Sequence, residues 1–289
     1  MDGKLPRRGG RGRPVLTKTR KSTVARELRR ARQRIAAGDP LLALLDLDGT
    51  LADFVVDPKD VRMFPGVRAV LRRLLRLPGA RVVIVTGRDA RKARAIVGLD
   101  GVEVSGLHGR EFVDRAGRLR RIPVPAKARA RLATLLKEAR ALSAALPGSR
   151  VEDKLPGGVA FHTRGAPDEG AALRAERTFA RSIRAARASG IAPMAGKRVI
   201  EARVAGVSKG TAVRALVAEE VAKGRAPVVL FAGDDLTDED AHRALAGTDA
   251  FTILVSRRPR PTAARTRVRE IAKMRDLLEV LARPTSGNK

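Results

Sequence analysis

The stretch LLALLDLDGTL, residues 41–51, constrains this chain more than any other. Five consecutive apolar residues without polar alternation read as a strand buried on both faces, as in a parallel sheet covered by helices on each side. In an extended strand residues i and i+2 share a face, so Asp46 and Asp48 can point at one substrate. Ligands of open parallel sheets bind beyond the carboxyl ends of the strands, where this pair stands. A lone pair of aspartates there can simply terminate a strand; DxDGT behind a buried strand is far more specific.

The rest of the chain follows the same grammar for most of its length. A helical pattern over 65–77, a strand over 81–86, a helix over 89–97 and a strand over 102–105 follow the first strand. After Lys209 the alternation resumes with a helix over 211–221, a strand over 228–232, a helix over 238–245, a strand over 251–255 and a C-terminal helix over 270–281. Alternation of this kind implies right-handed βαβ units and an α/β, doubly wound parallel sheet. Residues 110–205 break the pattern. A hairpin over 111–122, helices over 126–146 and 171–188 and strand-like pieces over 158–162 and 198–202 predict a smaller α+β unit inserted into the core. The chain thus divides into a basic N-terminal arm (1–38), a first core segment (39–109), the insertion (110–205) and a second core segment (206–289).

Composition narrows the classes. No run of about 18 apolar residues and no signal-peptide core is present, so the expectation is a soluble, cytoplasmic protein with no membrane partner. Cysteine is absent, which excludes disulfides and thiolate metal sites. Trp and Tyr are also absent, which argues against a stacking platform for bases. The net charge of +29 is shared by the arm and the remainder. It is compatible with steering of an anionic substrate, with polyanion binding, or with a general bias toward Arg and Ala. Within the arm, residues 1–21 lack apolar periodicity and read as disordered, whereas Val24, Leu28, Ala31 and Ile35 form one helical stripe that predicts a helix docked on the core.

Three segments besides residues 41–51 end apolar runs or open helices with chemically useful groups. RVVIVTGR (81–88) ends in Thr86, Gly87 and Arg88; VSKG (207–210) places Lys209 at a helix start; VVLFAGDDLTDED (228–240) runs into Asp234, Asp235 and Asp238. In this order the four segments resemble the motifs of the haloacid dehalogenase superfamily of phosphohydrolases. The inserted α+β unit resembles that superfamily's type 2 cap. Further segments, SGLHG (105–109), Glu152-x-Lys154 followed by His162-x-Arg164, and GKRVIEAR (196–203), narrow the likeness to trehalose-6-phosphate phosphatases.

The resemblance implies a Mg2+-dependent phosphatase acting on trehalose 6-phosphate. It implies Asp46 as nucleophile forming an aspartyl-phosphate, Asp48 as general acid and base, and Thr86 and Lys209 as the phosphate cradle. Mg2+ is expected on Asp46, the Asp48 main-chain carbonyl and Asp234, with Asp235 and Asp238 as inner or water-mediated partners. Gly87, Arg88, His108, Glu152, Lys154, His162, Arg164, Lys197, Glu201 and Arg203 are the expected substrate-binding set. Glu accepts and Lys or Arg donates, which suits a ligand whose hydroxyls do both. Two alternatives stand beside this reading: a phosphatase of the same cap type acting on sucrose phosphate or mannosyl phosphoglycerate, and nucleic-acid or polyanion binding through the basic arm.

Overall fold

The computed structural model describes residues 21–53, 55, 60–196 and 198–283. The segment before Lys21, expected to be unstructured, and Lys197 lie outside the described residues. The larger sheet has eight strands in the order β12-β11-β10-β1-β2-β3-β4-β5. They are β1 (Leu41–Leu45), β2 (Arg81–Val85), β3 (Glu103–Gly106), β4 (Glu111–Val113), β5 (Leu119–Arg121), β10 (Val228–Gly233), β11 (Phe251–Val255) and β12 (Thr266–Val268). β1 lies between β10 and β2, parallel to both.

The continuous apolar run of β1 is explained by two cores. Leu41, Ala43 and Leu45 pack with Val70 and Leu74 of α2 (Val67–Leu74) and with Met274 and Leu278 of α8 (Ile271–Ala282). Leu42 and Leu44 face the other way, toward Val213 and Leu216 of α6 (Lys209–Ala222) and Ala241 of α7 (Glu239–Ala244). Side chains of one strand alternate between faces, so a strand covered on both sides has no polar position until it ends. α3 (Ala90–Val97) joins the α2 side through Ala90, Ala93 and Val97, and Asp89 caps it by accepting from the N–H groups of Arg91 and Lys92. The expected stripe of α1 (Lys21–Ala36) docks as read: Ala31 is buried and Val24, Leu28 and Ile35 pack on the same core.

One element belongs elsewhere than the sequence suggested. The hairpin β4–β5 pairs antiparallel with β3 and extends the larger sheet, so it is not part of the inserted unit. Only a short turn separates β3 from β4, and consecutive strands pair where an edge is open. Phe112 reaches the core beneath Leu42 and Leu44, and Glu111 accepts from the N–H of Ala90, tying the hairpin to α3.

The smaller unit is an antiparallel sheet, β6-β7-β9-β8, formed by β6 (Arg150–Lys154), β7 (Gly158–His162), β8 (Ile191–Gly196) and β9 (Val199–Val204). α4 (Ala126–Ala144) and α5 (Glu169–Ala185) cover one face, where Leu132, Leu135, Phe161, Phe179 and Ile183 form a separate core. Directly opposed residues of neighbouring strands share a face. The register sets Glu152 against Ala160 and Ala160 against Glu201, and Lys154 against Gly158 and Gly158 against Arg203. With His162 two residues beyond Ala160, the helix-free face carries Glu152, Lys154, His162, Glu201 and Arg203. No helix among the described residues is long and apolar enough to cross a membrane.

Candidate active site

Asp46 directly follows β1 on the face of Leu42 and Leu44, and its N–H donates to the carbonyl of Ala232 at 2.9 Å. It is 4% exposed. Opposite stands Lys209, the first residue of α6, whose Nζ donates to Asp46 Oδ1 at 2.5 Å and to Asp238 Oδ1 at 2.7 Å. Ser208 caps α6 through a reciprocal box with Thr211, which fixes where that lysine leaves the backbone. Asp238 is fully buried, and its Oδ2 accepts from the N–H groups of Asp234 at 3.0 Å and Asp235 at 2.9 Å. This carboxylate therefore shapes the loop after β10 while it holds the lysine.

One oxygen each from Asp46, Asp234 and Asp238 lie within 4.8 Å of one another. Gly49 adopts a left-handed φ of +78°, and a Cβ there would run into the Asp234 carboxylate, so the glycine of DxDGT makes room for this cluster. Two buried carboxylates, Asp46 and Asp238, and the half-buried Asp234 share the neighbourhood of a single lysine. Burial, followed by the charges of Asp46 and Asp238, pushes the Asp234 carboxyl up to about 9. Burial also raises Asp46, against the pull of Lys209, to about 7. An all-oxygen cluster with excess negative charge fits a hard divalent cation. Asp235 does not join it: the residue is exposed, and its carboxylate accepts from the N–H of Leu236 to cap the turn over 236–238. The Asp48 side chain also stands outside the three-carboxylate group, where Arg88 binds it with Nε and Nη2, both at 2.7 Å. Thr86, at the end of the neighbouring β2, is buried and accepts from the N–H of Arg88 at 3.2 Å. Thr50, which sequence reading passed over, donates to Asp46 Oδ2 at 3.4 Å.

The polar face of the smaller sheet meets this end of the larger one. Lys154 Nζ donates to Glu201 at 2.9 Å and lies 3.6 Å from Glu152, which in turn contacts His162 Nε2 at 3.2 Å. Burial opposes ionisation of Glu152, but His162, Lys154 and Arg150 outweigh it and bring the carboxyl down to about 2. Lys154, Glu201 and Arg203 line a cleft with His108 and Arg110 of the larger unit. His108 has a left-handed backbone, φ +58°, and its ring packs over Gly87, where a Cβ would stand 2.7 Å from Cε1. Burial first, then Lys209, Lys154 and Arg203, drive its pKa well below the ordinary value, so the imidazole is neutral. Those charges also locate the ring between the Lys209 pocket and the smaller sheet.

Arg203 approaches Asp240 of α7 at 3.6 Å, an ion pair between the two units. Arg164 sits exposed in the turn after β7 and does not line the cleft. Arg110 was not among the expected residues, although it directly follows the SGLHG segment. Gly157 and Gly158 complete the wall, and a Cβ on Gly158 would stand 3.2 Å from Glu201 Oε1.

Comparison with known proteins bears on this geometry. A profile of the trehalose-phosphatase family matches residues 44–272. A probable trehalose-phosphate phosphatase of Sinorhizobium fredii is 33% identical over 211 residues, covering 73% of this chain and 76% of that protein. A bifunctional trehalose-6-phosphate synthase/phosphatase of Thermoproteus tenax is 34% identical over 84% of this chain, which corresponds to only 32% of the longer protein. Among solved structures, the C-terminal domain of the Candida albicans trehalose-6-phosphate phosphatase superposes with a TM-score of 0.76 at 22% identity, covering 90% of this chain and 96% of that one, a likeness of fold. The matched span contains the Asp46–Lys209–Asp238 group, the Asp234 carboxylate and the polar sheet face alike, and the chain belongs to the trehalose-phosphatase family.

Proposed function

We propose that the protein hydrolyses trehalose 6-phosphate to trehalose and inorganic phosphate through an aspartyl-phosphate on Asp46. The observation that carries this reading is that His108 stands between the paired Asp46 and Lys209 and the cleft lined by Lys154 and Glu201, within the field of both groups. The first pair serves phosphoryl transfer; the second group serves a polyhydroxylated leaving group. Family membership supports the same reading.

In the first half-reaction an Asp46 oxygen attacks phosphorus, the bond from phosphorus to the sugar oxygen breaks, and that oxygen takes a proton from Asp48. In the second, Asp48 takes a proton from water as the water oxygen attacks phosphorus, and the bond to Asp46 breaks to release phosphate. Lys209 holds the attacking carboxylate and offsets the charge of the phosphoryl oxygens, while the Thr86 hydroxyl donates to one of them. Asp46 and Asp234, with Asp238 behind them and the Asp48 carbonyl alongside, are the residues to hold Mg2+. Bound there, it supplies the positive charge that lets a carboxylate and a phosphate dianion approach. His108, Glu152, Lys154, His162, Glu201 and Arg203 orient the sugar; Gly87 matters by admitting the His108 ring. The cleft's closure by the smaller unit would exclude bulk water. A cysteine-free chain of this kind suits the cytoplasm.

Phosphate release from trehalose 6-phosphate, compared with glucose 6-phosphate and sucrose 6-phosphate, tests the reading. Preference for trehalose 6-phosphate, lost in a folded Asp46→Asn variant, is expected. Turnover by that variant would overturn the assignment of the nucleophile, and preference for the sucrose ester would overturn that of the substrate.

A further inference from the structure

Arg110 is 5% exposed and lines the cleft beside Lys154, Glu201 and Arg203. Its surroundings differ from those of the other cleft cations. Lys209 faces Asp46 and Asp238, Lys154 faces Glu201 and Glu152, and Arg203 faces Asp240. Among the described residues, no carboxylate lies within ion-pair distance of Arg110. Its Nη1 donates to two backbone carbonyls, Ile122 at 3.1 Å and Pro123 at 3.5 Å. Burial alone moves its pKa, and moves it down. Burying a guanidinium with no anion to balance it is costly, and an apolar side chain of similar length would fill the space without that cost.

The position of the side chain is also built. The two carbonyls belong to the segment that leads from β5 into the smaller unit, and the backbone N–H of Ile122 donates to the Arg110 carbonyl at 2.8 Å. On the opposite side Gly157, in the turn between β6 and β7, gives the stem its room: a Cβ there would stand 3.1 Å from Arg110 Cδ. Arg110 is thus held from the larger unit against the smaller unit at two points. A guanidinium is a donor-only fork, and with Nη1 engaged by carbonyls its remaining N–H groups can serve only acceptors. On the proposed reading the phosphate sits at Lys209, and His108 stands between that lysine and the Lys154–Arg203 face that Arg110 adjoins.

We propose that Arg110 is a specificity-determining contact, whose guanidinium donates to oxygens of the sugar half of the substrate, remote from the phosphate. This rests on the reading of the protein as a sugar phosphatase. The carbonyl bonds to residues 122 and 123 orient the fork, so recognition of the sugar is coupled to the seating of the smaller unit.

The test compares Arg110→Met and Arg110→Lys in the full chain, on trehalose 6-phosphate and on p-nitrophenyl phosphate, with melting temperatures measured in parallel. Loss of a charge-assisted hydrogen bond to substrate raises KM for trehalose 6-phosphate about ten- to a hundredfold in Arg110→Met. Turnover of the small aryl ester stays within about twofold, and Arg110→Lys recovers part of the KM. A purely structural arginine would instead lower the melting temperature and impair both esters equally, and that result overturns the proposal. So does an unchanged KM for trehalose 6-phosphate in folded Arg110→Met. If that variant does not fold, Arg110→Lys carries the same comparison. An unmodified enzyme that hydrolyses the aryl ester but not trehalose 6-phosphate would defeat the substrate assignment alone; the ratio is then taken on the sugar phosphate it does prefer.

Discussion

Arg88 and Asp48, 40 positions apart in sequence, form a two-pronged ion pair in which Nε and Nη2 each reach one carboxylate oxygen at 2.7 Å. The pair joins the ends of β1 and β2, beside the Thr86 hydroxyl that accepts from the Arg88 N–H. In this arrangement the arginine fixes the plane of the Asp48 carboxyl group. On the mechanism proposed above, proton donation from Asp48 to the leaving sugar follows an exchange in which Arg88 turns from Asp48 to the incoming phosphate. The pKa of Arg88 is raised first by its hydrogen bond to Asp48, so the cation persists throughout.

That exchange depends on the fork, not only on the charge. Arg88→Lys keeps the charge but cannot make two parallel bonds. We expect it to lower kcat/KM for every phosphate ester by roughly ten- to a hundredfold, the value of one charge-assisted hydrogen bond. Kinetics on trehalose 6-phosphate and an aryl phosphate side by side check this, and a loss confined to the sugar ester would contradict it.

The acidic cluster makes metal binding and pH interdependent. Asp46 and Asp234 have folded-state pKa values of about 7 and about 9 without a cation, well above the ordinary 3.8. The folded protein binds more protons than the unfolded chain between those limits, so without metal their contribution to stability falls as pH rises from about 4 toward 9. A divalent cation relieves the repulsion and needs the deprotonated forms. We expect saturating Mg2+ to raise the melting temperature by roughly 5 °C over a chelated sample, and by more at pH 8 than at pH 6. Equal shifts at both pH values would count against these residues as the cation site.

His242 provides a second titration of opposite sign. It is fully buried in α7 beneath Phe231, ring centroids 4.9 Å apart, and neither ring nitrogen has a partner among the described residues. Burial lowers its pKa from 6.5 to about 4. The unfolded chain thus binds the extra proton within that window, and folding stability declines as pH falls from about 6.5 to about 4. His242→Phe, which keeps the edge contact with Phe231, should raise the melting temperature more at pH 5 than at pH 8. Circular dichroism melts at the two pH values suffice, and a pH-independent change would refute the account.

A network at the opposite end of the sheet should affect stability and leave catalysis alone. Arg81 at the start of β2 binds Glu103 at 2.6 Å and Glu220 at 2.9 Å, and both carboxylates are buried. Arg81→Met removes the cation these carboxylates share and leaves Glu103 to Arg115 and Glu220 to Lys223 and Arg225, at a cost of about 1.5–3 kcal/mol in denaturant unfolding. Below the melting transition kcat should hold, because Asp46 lies beyond the other ends of these strands.

Legibility in the sequence followed the physics of each element. β1, β2, β10 and β11 are buried on both faces, so their apolar runs announce them. β6 reads RVEDK because its helix-free face carries the polar cleft, β8 contains Pro193 in an edge strand, and β12 is three residues long. None of these three gives a hydrophobic pattern to read. Asp46, Thr86, Lys209 and Asp234 were legible because each marks where an apolar strand ends or a helix begins. Choosing between Asp235 and Asp238 was not, since the turn over 236–238 decides which carboxylate faces inward. The roles of Arg88 and Arg110 depend on partners brought in by folding, which spacing alone does not encode.

The central place of β1 has a consequence for biosynthesis. Its neighbour β2 follows closely in the chain, but β10 begins at Val228 on the far side of the inserted unit. At ribosomal rates of 5–20 residues per second, the β10-side edge of Leu41–Leu45 waits roughly 10 to 40 s for its partner. During that interval the nascent protein displays a flat, uncharged row of open backbone groups, the kind of edge on which strands of other chains pair. The insertion that gives this enzyme its smaller, polar-faced sheet thereby lengthens the period in which synthesis is exposed to aggregation, and shielding by a chaperone matters most before residue 228 emerges.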